Sequence, residues 1–147
     1  MDKAKAAYEK MSARHMNCAQ AVFSTFSEDL GVKANTALSI AQGFGGGMHV
    51  DGVCGAVTGA YMALGLANPV SKENPRQNYE KTSAMINEFN RRFAELHGAL
   101  TCTGLLGYNL SRPDELDKAR ESGVFTTRCP GFVRDSAKIV EDLIKNI

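Results

Sequence analysis

Four cysteines are the residues of this chain best suited to chemistry: Cys18, Cys54, Cys102 and Cys129. Each stands where a helix is predicted to begin. A helix N-terminus offers free N–H groups and a partial positive charge, which favour thiolate over thiol. Thiolate is the form that attacks disulfides and binds metals. Cys18 follows Asn17, a predicted cap, and Cys102 follows Thr101. Cys54 comes shortly after Asp51, read as the cap of its helix, and Cys129 precedes Pro130, a residue type favoured in a first helical turn. Possible cations lie nearby along the chain: His15 before Cys18, His49 before Cys54, His97 before Cys102, and Arg128 beside Cys129. A cation in contact would lower a thiol pKa further, while Asp51 near Cys54 would act the other way.

No two cysteines form a Cys-x-x-Cys, so a thioredoxin-type motif, a zinc ribbon and covalent haem attachment find no support. Any site must be assembled by the whole fold. The competing reading is that cysteines are among the most buried residue types and pack as small hydrophobes. What separates the two is whether the sulfurs converge.

The elements that must position them read as all-α. A helix over 3–14 has a thin apolar face of Ala7, Tyr8 and Met11. Asn17 and Gln20 form a capping box for a second helix with Ala19, Val22, Phe23 and Phe26 inward, ended by Gly31. Asn35 or Thr36 opens a short third helix through Leu38, Ile40 and Ala41. The glycine-rich run at 43–47 lacks the pattern of a nucleotide loop and is either a lid or close-approach loop over Cys54 or a plain connector. Residues 53–67 form a buried helix with a Gly55/Gly59/Ala63 stripe that lets another backbone come near. The clearest helix follows the loop at 68–75, with a seam of Tyr79, Thr82, Ile86, Phe89, Phe93 and Leu96, and stops at Gly98. Short turns at 101–106 and a helix at 114–121 precede a last helix facing inward through Phe132, Val133, Ser136, Val140, Leu143 and Ile147. The expectation is one domain over 1–147, a helical bundle of about five main helices plus short helical turns.

Composition narrows the function classes. The 147 residues carry a net charge of +1 with Lys and Arg dispersed, so neither nucleic acid nor an anionic membrane is an expected partner. The longest apolar stretch, 53–67, is shorter than the roughly 20 residues of a membrane span. The first residues lack the apolar segment of a secretory signal, and a cytoplasmic location is expected. There, an even cysteine count favours catalytic thiols or metal ligands over permanent disulfides.

The segment Gly52-Val53-Cys54-Gly55-Ala56-Val57-Thr58-Gly59, with one cysteine upstream and two downstream, resembles the family of redox-active proteins named for the pattern C, GCAxxG, C, C. The likeness extends from Asn17-Cys18-Ala19 to Cys129 and includes the continuation at 60–66. One departure stands out: the order here is Cys54-Gly55-Ala56, where the pattern puts Gly before Cys. Cys54 is read as the equivalent residue. The resemblance implies an all-helical bacterial or archaeal protein with redox-active cysteines. It also implies iron–sulfur binding as an option, because related segments accompany iron–sulfur or haem proteins.

Three functions follow. In the first, Cys54 attacks a disulfide or oxidant, Cys102 resolves the adduct, and Cys18 and Cys129 form a second pair or support the site. In the second, Cys18, Cys54, Cys102 and Cys129 are ligands of a metal or an iron–sulfur cluster. In the third, the chain is a non-catalytic helical interaction module, one form of which is a homodimer packed through the Gly55/Gly59/Ala63 stripe. The redox partner is not legible.

Overall fold

The computed structural model describes residues 2–13 and 15–146. Arg14, the expected end of the first helix, and Ile147, expected on the last helix's inner face, lie outside the described residues. The elements in order are α1 (Lys3–Ser12), α2 (Cys18–Ser27) and α3 (Ala34–Ala41), then two 3-10 turns (Gln42–Phe44, Gly46–His49). They continue with α4 (Gly55–Ala67), α5 (Pro75–His97), α6 (Cys102–Leu106), α7 (Pro113–Ser122), α8 (Val124–Thr127) and α9 (Cys129–Lys145). The all-α expectation is met, with no strand among the described residues, only an isolated antiparallel bridge between Val53 and Thr101. The short helix α8 is not among the expected elements.

At the centre is α4, apolar around most of its circumference, as a helix buried on all sides must be. Its residues from Gly55 to Ala60, with Ala63 and Leu64, are buried. Helix α2 packs along one side of α4 and α9 along another, while α1 lies on α9. The apolar faces predicted for these elements mostly go inside: Ala7 and Met11; Ala19, Val22, Phe23 and Phe26; Phe132, Val133, Ser136, Val140 and Leu143. Tyr8, expected on the inner face of α1, is instead exposed with Arg134 over its ring. Ser136 is tolerated there because its hydroxyl donates to the Ala56 carbonyl at 2.6 Å, joining α9 to the first turn of α4. No helix among the described residues is long and apolar enough to cross a membrane.

The stripe on α4 is used within the chain. A Cβ on Gly59 would stand 2.7 Å from the Ala19 carbonyl oxygen, so only glycine lets α2 come this close. The stripe is therefore covered by α2, which corrects its expected use as a homodimer face.

The seam of α5 is shorter than its periodicity suggested. Phe89 and Phe93 are fully buried, but Tyr79 is 74% and Leu96 61% exposed. At 23 residues α5 runs about 34 Å, whereas the 13 residues of α4 cover only about 20 Å. The first turns of α5 meet the preceding loop, where the Ser71 amide donates to Asn78 Oδ1 at 2.8 Å, and Tyr79 stays exposed. At its other end the row continues from buried Phe93 to half-buried His97, whose ring centroid lies 4.7 Å from that of Phe93, and Leu96 falls beside the row.

Candidate functional site

Cys18 is the first residue of α2. The start of that helix is held by a full capping box: Gln20 N–H donates to Asn17 Oδ1 at 2.9 Å, and Asn17 N–H to Gln20 Oε1 at 2.8 Å. The Asn17 amide also donates to the Gln42 carbonyl at 3.0 Å, which ties the glycine-rich loop to this helix start. The loop is a close-approach element. A Cβ on Gly45 would stand 2.5 Å from the Asn17 side chain, and one on Gly55 would stand 3.0 Å from Gly45 Cα.

Cys54 and Cys102 are brought together by a single backbone contact. The Cys54 amide donates to the Leu100 carbonyl at 2.8 Å, next to the Val53–Thr101 bridge. The chain therefore enters α4 and α6 side by side. Thr101 caps α6, its hydroxyl accepting from the Gly104 amide at 3.0 Å, and Cys102 is the first residue after it. At α4 the cap position is occupied by Cys54 itself, not by Asp51. Asp51 instead accepts a short hydrogen bond from the Thr103 hydroxyl, adding a second link between the two helix starts. Cys129 opens α9, directly after α8. All four predicted helix-start positions are thus observed.

The four cysteines converge. They line one cavity of about 320 Å³ between the starts of α2, α4, α6 and α9. Cys54, Cys102 and Cys129 are buried, Cys18 is half-buried, and all four are free thiols. The contacts run in a chain, with Cys54 touching both Cys102 and Cys18, and Cys18 touching Cys129.

Electrostatically the cluster favours one thiolate at its middle. Thiols of Cys102 and then Cys18 hydrogen-bond to the Cys54 sulfur, and the Ala56 and Val57 amides at the open end of α4 add to them. Together these outweigh burial and hold Cys54 well below the ordinary thiol range. The hydrogen bond to Cys54 pushes Cys102 far up, with burial adding to it and the Gly55 amide opposing. Cys18 is raised by its contacts with Cys129 and then Cys54, and by burial.

The expected histidine and arginine partners have other places. His97 Nε2 sits 3.0 Å from Asp135 Oδ2, wedged between Phe93 and Phe132, and does not line the cavity. Arg128 lies over the Phe132 ring at 5.4 Å, and His15 is exposed and does not line the cavity. Of the three histidines only His49 reaches the cavity. What depresses Cys54 is neighbouring thiols and helix amides, not a cation. Arg120 and Leu116 from α7 and Phe125 from α8 also line the cavity, none of them a candidate from the sequence. The spacing of Leu116 and Arg120, one turn apart on one face, was the only available signal.

The donor chemistry of four cysteines suits a thiolate-bound metal, but their placement does not. Among the described residues no group of three or more His, Cys, Asp or Glu side chains is arranged to hold a metal ion.

The geometry also explains the order of residues at the central motif. A Cβ on Gly55 would stand 2.9 Å from the Ala19 amide nitrogen and 3.0 Å from Cys18 Cβ. No side chain fits at 55, so in this chain the sulfur must come from 54.

Compared with known proteins, residues 16–143 match the model of the family described as "Putative redox-active protein (C_GCAxxG_C_C)". No curated protein and no solved structure matches the chain.

Proposed function

The chain belongs to the C_GCAxxG_C_C family, and from that premise we propose that it carries out thiol–disulfide exchange with Cys54 as attacking thiolate and Cys102 as resolving thiol. The observation that supports this most is the position of Cys54: one depressed thiol in contact with two raised ones, inside a cavity that four helix starts share.

The steps follow from that arrangement. The Cys54 thiolate attacks one sulfur of a substrate disulfide. That S–S bond breaks, a mixed disulfide forms on Cys54, and one substrate thiolate leaves. Cys102 has been kept protonated chiefly by its hydrogen bond to ionised Cys54. Once Cys54 is bonded to substrate sulfur, that restraint is gone. Cys102 gives its proton to the departing thiolate and attacks Cys54 Sγ, and the second substrate thiolate leaves. Two protein thiols have become one disulfide, and the substrate disulfide has taken up two electrons. The order of events is built into the contact, since the resolver is activated by consumption of the attacker. Cys18 and Cys129 form a second pair that can accept the disulfide from Cys54 through Cys18. Turnover needs an external dithiol to return the protein to the thiol form.

The test uses reduced protein and a small neutral disulfide such as bis(hydroxyethyl) disulfide, read by mass spectrometry of the peptides. Wild type quenched early is expected to show the Cys54–Cys102 disulfide as the first one formed, with no retained adduct. Because Cys18 also touches Cys54, the first step is isolated by combining Cys102→Ser with Cys18→Ser, which is expected to stop with one adduct on Cys54. An adduct confined to other cysteines, or none at all, would remove the assignment.

A further inference from the structure

Resting on the thiol–disulfide reading, we infer that the substrate is a small anionic disulfide with an apolar body, and not a disulfide held in a folded protein. Three features of the cavity carry this: its depth, its walls and the charge at its rim.

Cys54 is 4% and Cys102 5% exposed, so the attacking and resolving sulfurs are reached only from inside the cavity. A cavity of about 320 Å³ lies at the small end of the range for small-molecule sites, roughly 300–1,000 Å³. A small disulfide can enter it, whereas a disulfide anchored in a folded chain would have to bring its backbone past the rim.

The walls between rim and sulfurs are apolar, formed chiefly by Leu105, Leu106, Leu116 and Phe125. They desolvate the apolar part of an entering molecule. Among the described residues lining the cavity, those that can carry charge besides the thiols are Arg120 and His49, and none is acidic. The Arg120 side chain is 62% exposed, and its nearest carboxylate, Asp117, stands 3.6 Å away on the same helix. A guanidinium at the rim suits a carboxylate on the substrate. The arrangement also solves a charge conflict. An anionic group beside the Cys54 thiolate would be repelled, but at Arg120 it is held at the rim while the disulfide reaches inward.

The experiment measures single-turnover rates of reduced protein with three disulfides: dithiobis(nitrobenzoate), which is dianionic, dithiodipyridine, which is neutral, and cystamine, which is dicationic. Each rate is divided by that of the same probe with mercaptoethanol, which removes the probe's intrinsic reactivity. The expected normalised preference for dithiobis(nitrobenzoate) over cystamine is about tenfold at low salt and shrinks as salt is added. Arg120→Gln is expected to lower that ratio about threefold, the scale of one exposed charge contact, and Arg120→Lys to retain most of it. A ratio that Arg120→Gln leaves unchanged, or insulin disulfides reacting as fast as the dianionic probe, overturns the substrate class while leaving the thiol chemistry standing. Failure of all three probes to form any disulfide on Cys54 overturns the thiol–disulfide reading itself, and this inference with it.

Discussion

Gly55 sits so close to Cys18 that a Cβ at 55 would stand 3.0 Å from Cys18 Cβ, with the Ala19 amide nitrogen at 2.9 Å. This contact sets the distance between the starts of α2 and α4, and so between Cys18 and Cys54. Gly55→Ala must push the two helices apart and is expected to cost about 1–3 kcal/mol in chemical denaturation. In the same helix Gly65 has nothing within 4 Å of a built Cβ, so Gly65→Ala is expected to stabilise by about 0.5–1 kcal/mol. Equal effects of the two substitutions would contradict the close approach.

The depression of Cys54 depends first on the Cys102 thiol. A neutral alkylating reagent small enough to enter the cavity should therefore modify Cys54 below the pH at which ordinary thiols, near about 8.5, react. Cys102→Ala removes the donor and is expected to move the labelling profile to higher pH. Cys102→Ser keeps a hydroxyl donor and should move it less. Identical profiles for all three proteins would show that the hydrogen bond is not the cause.

Stability should vary with pH in two opposed parts. Cys54 has a lower pKa folded than unfolded, so its contribution is fully present above the unfolded value and is lost as pH falls through the folded one. Cys102 and Cys18 have raised values, so above the ordinary thiol range the unfolded chain gives up protons that the folded chain keeps. Their contribution falls as pH rises there. Denaturation midpoints of the reduced protein are expected to decline above about pH 8.5, and the decline should be weaker in Cys18→Ala. A Cys18→Ala protein declining as steeply as wild type would count against the raised thiol.

Asn17 holds more than a helix end. Its side chain caps α2 and also donates to the Gln42 carbonyl of the glycine-rich loop. Asn17→Ala is expected to cost about 1–2 kcal/mol, in the upper part of the range for a lost cap. Asn17→Ser, which can cap but cannot span to Gln42, should recover about half of that. Full recovery by serine would mean that the loop contact contributes nothing.

Much of the fold is legible in the chain because it depends on neighbours in sequence. Asn17 and Gln20, three apart, make a capping box by local geometry alone, and Gly98 ends α5 with a left-handed φ of 79°. The apolar rows of α2 and α9 follow from the helical period. The same local rules placed all four cysteines at helix starts. They failed where the answer lay across space. Tyr79 opens the three-and-four spacing that leads to Phe89 yet is 74% exposed, because spacing within α5 does not specify which other elements reach its first turns. Asp51 is the right residue type for a cap, but the Thr103 hydroxyl lies within reach and binds it instead. His97 and Arg128 are near cysteines along the chain and belong to Phe132 and its surroundings in space.

The sequence by itself determined that this protein is helical and that its four sulfurs stand at helix N-termini, since caps, glycines and period act over a few residues. Only the tertiary structure decided that the sulfurs meet. The Gly55 and Gly59 contacts draw Cys18 toward Cys54, and the Cys54–Leu100 bond sets Cys54 beside Cys102. These contacts join segments tens of residues apart, and no local rule specifies which distant backbone will arrive. The low pKa of Cys54 belongs to that second class, because its first cause is another cysteine.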